Sequence, residues 1–156
     1  VRYLPRFSLA PLDDVRSLVA AHTDAPGKRE AQRALATEMT ELVHGGEAAS
    51  DAAAAADILF GGDPAAASRE ALAVVAAEVP VTSVSAADLE DTFGLLARSG
   101  VVASTSEARR TVDQRGIRVN GQTLEPGETL AAKGFLHGRW VLLRKGKTSY
   151  HLFDIG

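Results

Sequence analysis

No cysteine occurs anywhere in the 156 residues. Disulfides, thiolate metal sites and cysteine nucleophiles are therefore excluded, and the composition fits a reducing compartment. No run approaches the roughly 20 apolar residues that a membrane span needs, so no membrane partner is expected. The opening Val1-Arg2-Tyr3-Leu4-Pro5 carries no apolar signal core. It also lacks a starting methionine, which suggests a piece cut from a longer protein. Histidine is scarce: His22, His44, His137 and His151 are the only four. No two stand at the close spacing of a zinc helix, and no metal is expected. No Ser/His/Asp constellation can be assembled. Trp140 is the single tryptophan, and its place among Val141, Leu142 and Leu143 reads as core before base stacking.

What is present suffices to fold. The chain is 46% hydrophobic and 24% charged, enough to bury a core in one or two small domains. The net charge of −3 is unevenly divided. Residues 1–97 hold seven Lys and Arg against fifteen Asp and Glu, and residues 98–156 hold ten against five, so −8 is followed by +5. A basic half joined to an acidic one points to a nucleic-acid surface at the C-terminal end, or to an ordinary solvated charge difference.

The periodicity predicts helices first. Asp13-Asp14 opens a short helix over 13–22 with acid at its positive end. Pro26 suits the first position of a second helix, whose buried face is Ala31, Leu35, Met39, Leu42 and Val43, with His44 in its last turn and Gly45-Gly46 as its stop. The alanine-rich stretch closes at Ile58-Leu59-Phe60 before Gly61-Gly62, and Asp63-Pro64 starts a fourth helix that runs towards Glu78. Residues 79–85, short, β-branched and Ser-rich, read as a linker. Ser85-Ala86-Ala87-Asp88 and Ser104-Thr105-Ser106-Glu107 are capping-box patterns that begin two further helices, ending at Gly100 and Gly116. The period then changes to two. Asn120-Gly121 between Ile117-Arg118-Val119 and Gln122-Thr123-Leu124 is a strong hairpin signal. A second hairpin follows, with strands over 139–144 and 149–153 and its turn at Lys145-Gly146-Lys147. The expected fold is α+β: an all-helical bundle over 1–78, a linker over 79–85, and an α+β domain with β-hairpins over 86–156.

Within that second domain, Leu95-Leu96-Ala97-Arg98-Ser99-Gly100, Ser104-Thr105-Ser106-Glu107-Ala108-Arg109-Arg110 and Gln114-Arg115-Gly116-Ile117-Arg118-Val119-Asn120-Gly121 follow one another in register. This run of about thirty residues resembles the α-L RNA-binding motif, shared by a small-subunit ribosomal protein and several RNA-modifying proteins. The resemblance implies RNA contact by Arg98, Ser104, Ser106, Arg109, Arg110, Gln114, Arg118 and Asn120. A helix N-terminus and guanidinium groups both suit phosphate, and duplex RNA is read mostly by backbone and shape. Without the motif, Arg109 and Arg110 would read as a solvated helix face.

A second resemblance covers nearly the whole chain. Arg2-Tyr3-Leu4-Pro5-Arg6-Phe7-Ser8-Leu9, then Pro26-Gly27-Lys28-Arg29-Glu30-Ala31-Gln32-Arg33-Ala34-Leu35-Ala36 with Thr40-Glu41-Leu42-Val43-His44-Gly45, and the tail Gly138-Arg139-Trp140 with Lys145-Gly146-Lys147 and Tyr150-His151, stand in one order. Together they resemble the C-terminal part of bacterial tyrosyl-tRNA synthetases, with a helical anticodon-binding segment followed by the α-L module. Residues 47–77 match only in helical spacing. The resemblance implies a cytoplasmic parent that activates tyrosine with ATP, transfers it to its tRNA and dimerises through its catalytic domain. That chemistry needs His-x-Gly-His and Lys-Met-Ser-Lys-Ser type signatures, and neither is present. Lys145-Gly146-Lys147-Thr148-Ser149 only superficially resembles the second, and a phosphate loop would need glycine where Val141 stands. The chain itself is therefore expected to be an inactive, monomeric fragment without a cofactor whose partner is tyrosine tRNA. Lys28, Arg29 and Arg33 become candidate tRNA contacts, or exposed partners of Glu30 and Asp24. Lys145 and Lys147 become a basic turn on RNA backbone, or plain solvated charge. A stand-alone protein binding ribosomal RNA through its α-L module, a pseudouridine synthase and a helical protein-interaction domain are the rival readings.

Overall fold

The computed structural model describes residues 2–156 and has two compact units, one ending at Ala53 and one spanning Ala54–Gly156. The first unit is helical. It comprises α1 (Leu4–Phe7), α2 (Leu12–Asp24) and α3 (Glu30–His44), followed by the start of α4 (Gly46–Leu59), which runs across the division. Its core is Leu4, Val15 and Ala31, with Leu18, Val19 and Leu35 packed around them. Ser8 Oγ donates to Glu38 at 2.6 Å, and the Leu9 N–H also donates to that carboxylate. These two bonds tie the segment after α1 onto α3 and hold the Glu38 carboxyl below its ordinary value, the Ser8 bond contributing most.

Two expectations change here. Pro26 opens only a 3-10 turn, Pro26–Lys28, and Arg29 in the left-handed region (φ 56°) separates it from α3. Leu42 and Val43 do not complete a buried face. They are 64% and 70% exposed, because the core contacts of α3 end near Leu35.

The second unit is built on a five-stranded sheet in the order β1-β5-β4-β2-β3, with β1 Val81–Ser83, β2 Ile117–Val119, β3 Gln122–Thr123, β4 Trp140–Lys145 and β5 Ser149–Asp154. β1 runs parallel to β5, and the other pairs are antiparallel. Ile117, Val119, Val141, Leu143 and Phe153 project to one face. There they meet Leu95, Leu96, Ala108 and Val112 of α6 (Thr92–Arg98) and α7 (Thr105–Asp113). Trp140, Leu142 and Leu152 project to the other face, against Ala55 and Ile58 of α4 and Leu72 and Val75 of α5 (Arg69–Glu78). Burial on both faces explains the unbroken apolar run Trp140-Val141-Leu142-Leu143 and places Trp140 in the core, 4% exposed.

The fold is thus α+β, with compact units that differ from the boundaries read in the sequence. The segment 79–85 contains β1, whose Val81, Thr82 and Ser83 pair with Leu152, Phe153 and Asp154. The helix expected from Asp63 begins as a 3-10 turn, Pro64–Ala66, and α5 starts later under a Ser68 cap that accepts from the Ala71 N–H. α4 ends as expected at Gly61-Gly62. The Gly62 and Gly61 N–H groups reach back to Asp57 O and Ile58 O, and Gly61 takes φ 104°. The Ser85 capping box is present, but it heads a 3-10 turn (Ala86–Glu90), and Asp91 caps α6 separately.

Candidate nucleic-acid interface

α7 is the element on which most of the candidate residues depend. Ser104 Oγ accepts from the Glu107 N–H at 3.2 Å, and Glu107 reaches back to the Ala103 N–H at 2.9 Å, so the first turn is capped from both directions. Ala108 and Val112, four residues apart, are buried in the core, and the same geometry turns Ser106, Arg109, Arg110 and Asp113 outwards. The Arg109 guanidinium lies 4.4 Å from the centroid of the half-buried Phe93 ring on α6. The ring supports the cation while leaving its N–H donors for a ligand. Arg110 is exposed one residue further on. The helix closes at Arg115, which takes the left-handed conformation (φ 55°) one residue before Gly116.

The neighbouring candidates divide by what already holds them. Arg98 is bound by two carboxylates, Asp88 at 2.6 Å and Asp91 at 3.0 Å. Lys145 Nζ donates to Glu107 at 3.0 Å and to Val101 O at 3.1 Å, fastening β4 to the first turn of α7 and to the loop before it. The Ala103 N–H, followed by the Lys145 ammonium, holds the Glu107 carboxyl below its ordinary value. These contacts give Arg98 and Lys145 positioning roles. Lys147 and Gln114 are exposed, Lys147 in the turn between β4 and β5.

Asn120 is 4% exposed. Its Nδ2 donates to Gly134 O at 2.9 Å and Lys133 O at 3.3 Å, and its Oδ1 accepts from the Leu142 N–H at 2.9 Å. With φ 50°, followed by Gly121 at φ 83°, it makes the expected two-residue hairpin turn. Its polar atoms are committed to the fold, so it orients the hairpin without presenting them to a ligand.

Arg118 does not join Arg109 and Arg110. Ile117 and Val119 face α7, so the side chain between them projects from the opposite face of the sheet. There it stands in register with Arg144, a residue that the sequence reading did not single out. In the first unit, Lys28 pairs with Glu30 at 3.8 Å, and Arg29 and Arg33 are exposed on and after the left-handed break that starts α3. Among the described residues no group of three His, Asp or Glu side chains could hold a metal ion. No helix among them is long and apolar enough to cross a membrane.

A protein-family model described as the tyrosine–tRNA ligase SYY-like C-terminal domain matches residues 71–153. The tyrosine–tRNA ligase of Anaeromyxobacter dehalogenans (strain 2CP-1) is 39% identical, over 99% of this chain and 38% of the relative. That of Streptomyces griseus is 40% identical, over 99% of this chain and 37% of the relative. That of Mycobacterium tuberculosis is 37% identical, over 96% and 36%. The chain therefore spans little more than a third of the length of these relatives.

Proposed function

This chain belongs to the tyrosine–tRNA ligase SYY-like C-terminal domain family, and from that premise we propose that it is the tRNA-gripping part of a tyrosine–tRNA ligase. The observation that carries the reading is the outer surface of α7. There a doubly capped helix start, Arg109 seated on Phe93 and the exposed Arg110 combine partial and full positive charge on one short element. Such a surface binds phosphate backbone and carries no group arranged for covalent chemistry. Activation of tyrosine with ATP and its transfer to tRNA belong, in this reading, to a catalytic part outside these residues. That part also provides the dimer contact, in a cytoplasmic enzyme. The present chain acts by position: it holds tRNA between the anticodon stem and the variable arm so that the acceptor end reaches a distant active site. Lys147 adds a backbone contact at the tip of the β4–β5 turn, and Lys28, Arg29 and Arg33 add contacts from the helical unit.

The test is binding of the chain to tyrosine tRNA across a salt series, with a short-variable-arm tRNA as competitor. Preferential binding that weakens with salt is expected. Changing Arg109 and Arg110 together to alanine should lower affinity about tenfold or more and reduce the log–log salt slope by about 2. Unchanged affinity in that variant would remove α7 from the interface, and equal binding of both tRNAs would leave a general RNA module.

A further inference from the structure

Beyond the apolar patch that α4 and α5 cover, the second face of the sheet opens into a cleft of about 310 Å³. Its walls include Gly61, Pro64, Arg118, Gly121, Arg144 and Tyr150. Arg118 and Arg144 are directly opposed on paired strands, an arrangement of like charges that weakens a strand pair unless something neutralises it. Arg98, Lys133, Arg139 and Lys145 each have a carboxylate partner within 4.0 Å, whereas among the described residues no such partner stands beside Arg118 or Arg144. The one carboxylate lining the cleft, Asp63, accepts from the Ala65 N–H at 2.9 Å.

Arg144 is nonetheless held in place. Its Nε donates to Gly146 O at 3.1 Å, and its guanidinium lies 5.7 Å from the centroid of Tyr150, whose hydroxyl donates to Ile58 O at 2.9 Å. Gly61 makes room for it: a Cβ there would come within 2.9 Å of Arg144 Nη1. The two guanidiniums carry ten N–H donors between them, and of these only Arg144 Nε has a partner above. The lining offers little flat apolar surface for a base, because Tyr150, its only aromatic ring, already lies beside Arg144.

We propose that this cleft binds a phosphodiester of RNA, with Arg144 and Arg118 gripping it from two sides. The site lies on the face of the sheet opposite α7, so the sheet separates two backbone contacts. The proposal rests on the RNA-binding reading above.

The experiment uses the whole chain carrying Arg118→Gln and Arg144→Gln. Tyrosine-tRNA affinity at about 0.1 M salt should fall about tenfold, and the salt slope should lose about 2. The thermal midpoint should not fall through charge loss, since an opposed like pair is removed. In the parallel variant with lysine at both positions, most of the slope should remain. Inorganic phosphate should shift the Gly61 and Gly121 amide resonances of the unaltered chain and leave those of the glutamine variant in place. If that variant does not fold, Arg118→Gln alone should take about 1 from the slope. Unaltered tRNA affinity and slope in the variant, with the unaltered chain still binding, would overturn this proposal alone. So would phosphate shifts without any loss of tRNA affinity, which would mean a site for free anions. Failure of the unaltered chain to bind tRNA would remove both readings.

Discussion

Replacing Asn120 by alanine separates a residue that builds the hairpin from one that touches RNA. The side chain makes three hydrogen bonds, to Gly134 O, Lys133 O and the Leu142 N–H. Net, each such bond contributes about 1 kcal/mol, and the Leu142 N–H, left buried without that acceptor, adds a desolvation cost of about 1–3 kcal/mol. Alanine at φ 50° adds roughly 1 kcal/mol of backbone strain that asparagine largely escapes. The overlapping contributions give a loss of about 3–5 kcal/mol, a large share of the 5–15 kcal/mol that holds an ordinary domain. Glycine at the same position relieves the backbone strain and should recover about 1 kcal/mol of it. Aspartate keeps the shape but turns Nδ2 into an acceptor facing two carbonyls, so it should be no better than alanine. The assay is urea unfolding of the whole chain followed by Trp140 fluorescence. RNA affinity, corrected for the folded fraction, should stay within about twofold, because the lost atoms were never presented to a ligand. An alanine variant within about 1 kcal/mol of the unaltered chain would refute the reasoning, since the buried bonds would then not matter. Folded protein with strongly reduced RNA affinity would refute the positioning role.

Trp140→Ala should cost about 3–5 kcal/mol in urea unfolding followed by circular dichroism, because the ring is buried between the sheet and the helices over its second face. Thermal unfolding should also report the Arg139–Asp154 pair, whose two bonds measure 2.7 and 2.8 Å. Arg139's hydrogen bonds hold the Asp154 carboxyl below its ordinary value against the opposing effect of burial. The unfolded chain therefore takes up the proton first as pH falls. The pair's contribution is complete above the ordinary carboxylate value of about 3.9 and is lost below it. Asp154→Asn should lower the midpoint at neutral pH and flatten its fall below the ordinary carboxylate value. An unaltered pH profile would show that the pair does not stabilise the fold.

Much of this fold was legible because local rules and tertiary packing agree. The Asn120-Gly121 turn, the Gly61-Gly62 helix stop and the Ser104–Glu107 cap are dictated within a few residues of chain, and each is found where the pattern put it. The reading of 79–85 as a linker missed a contact made across about seventy residues: β1 is a strand only because β5 offers it a parallel edge. The alanine-rich stretch gave helices but not their destination, since alanine carries little record of what it packs on. Arg118 is the instructive case. The alternation that set Ile117 and Val119 towards the core already required Arg118 to point away from α7. The motif's name grouped it with Arg109 and Arg110 all the same. Arg144 had no local signal at all, because its significance comes from register with Arg118.

The same distinction governs the basic charge that first suggested RNA. Of the ten Lys and Arg in residues 98–156, Arg98, Arg115, Lys133, Arg139 and Lys145 lie in ion pairs. Four of the five carboxylates of that half are their partners: Glu107, Glu125, Glu128 and Asp154. The excess positive charge therefore rests on Arg109, Arg110, Arg118, Arg144 and Lys147: two on α7, two in the cleft and one at a turn tip. If every one of these five met a duplex phosphate, they would account for a log–log salt slope of about −4.5. A steeper slope in the tRNA series would require phosphate contacts from residues 1–97, where Lys28, Arg29 and Arg33 are the candidates. A slope near −2 would mean that only one face of the sheet engages, and the two double variants would show which.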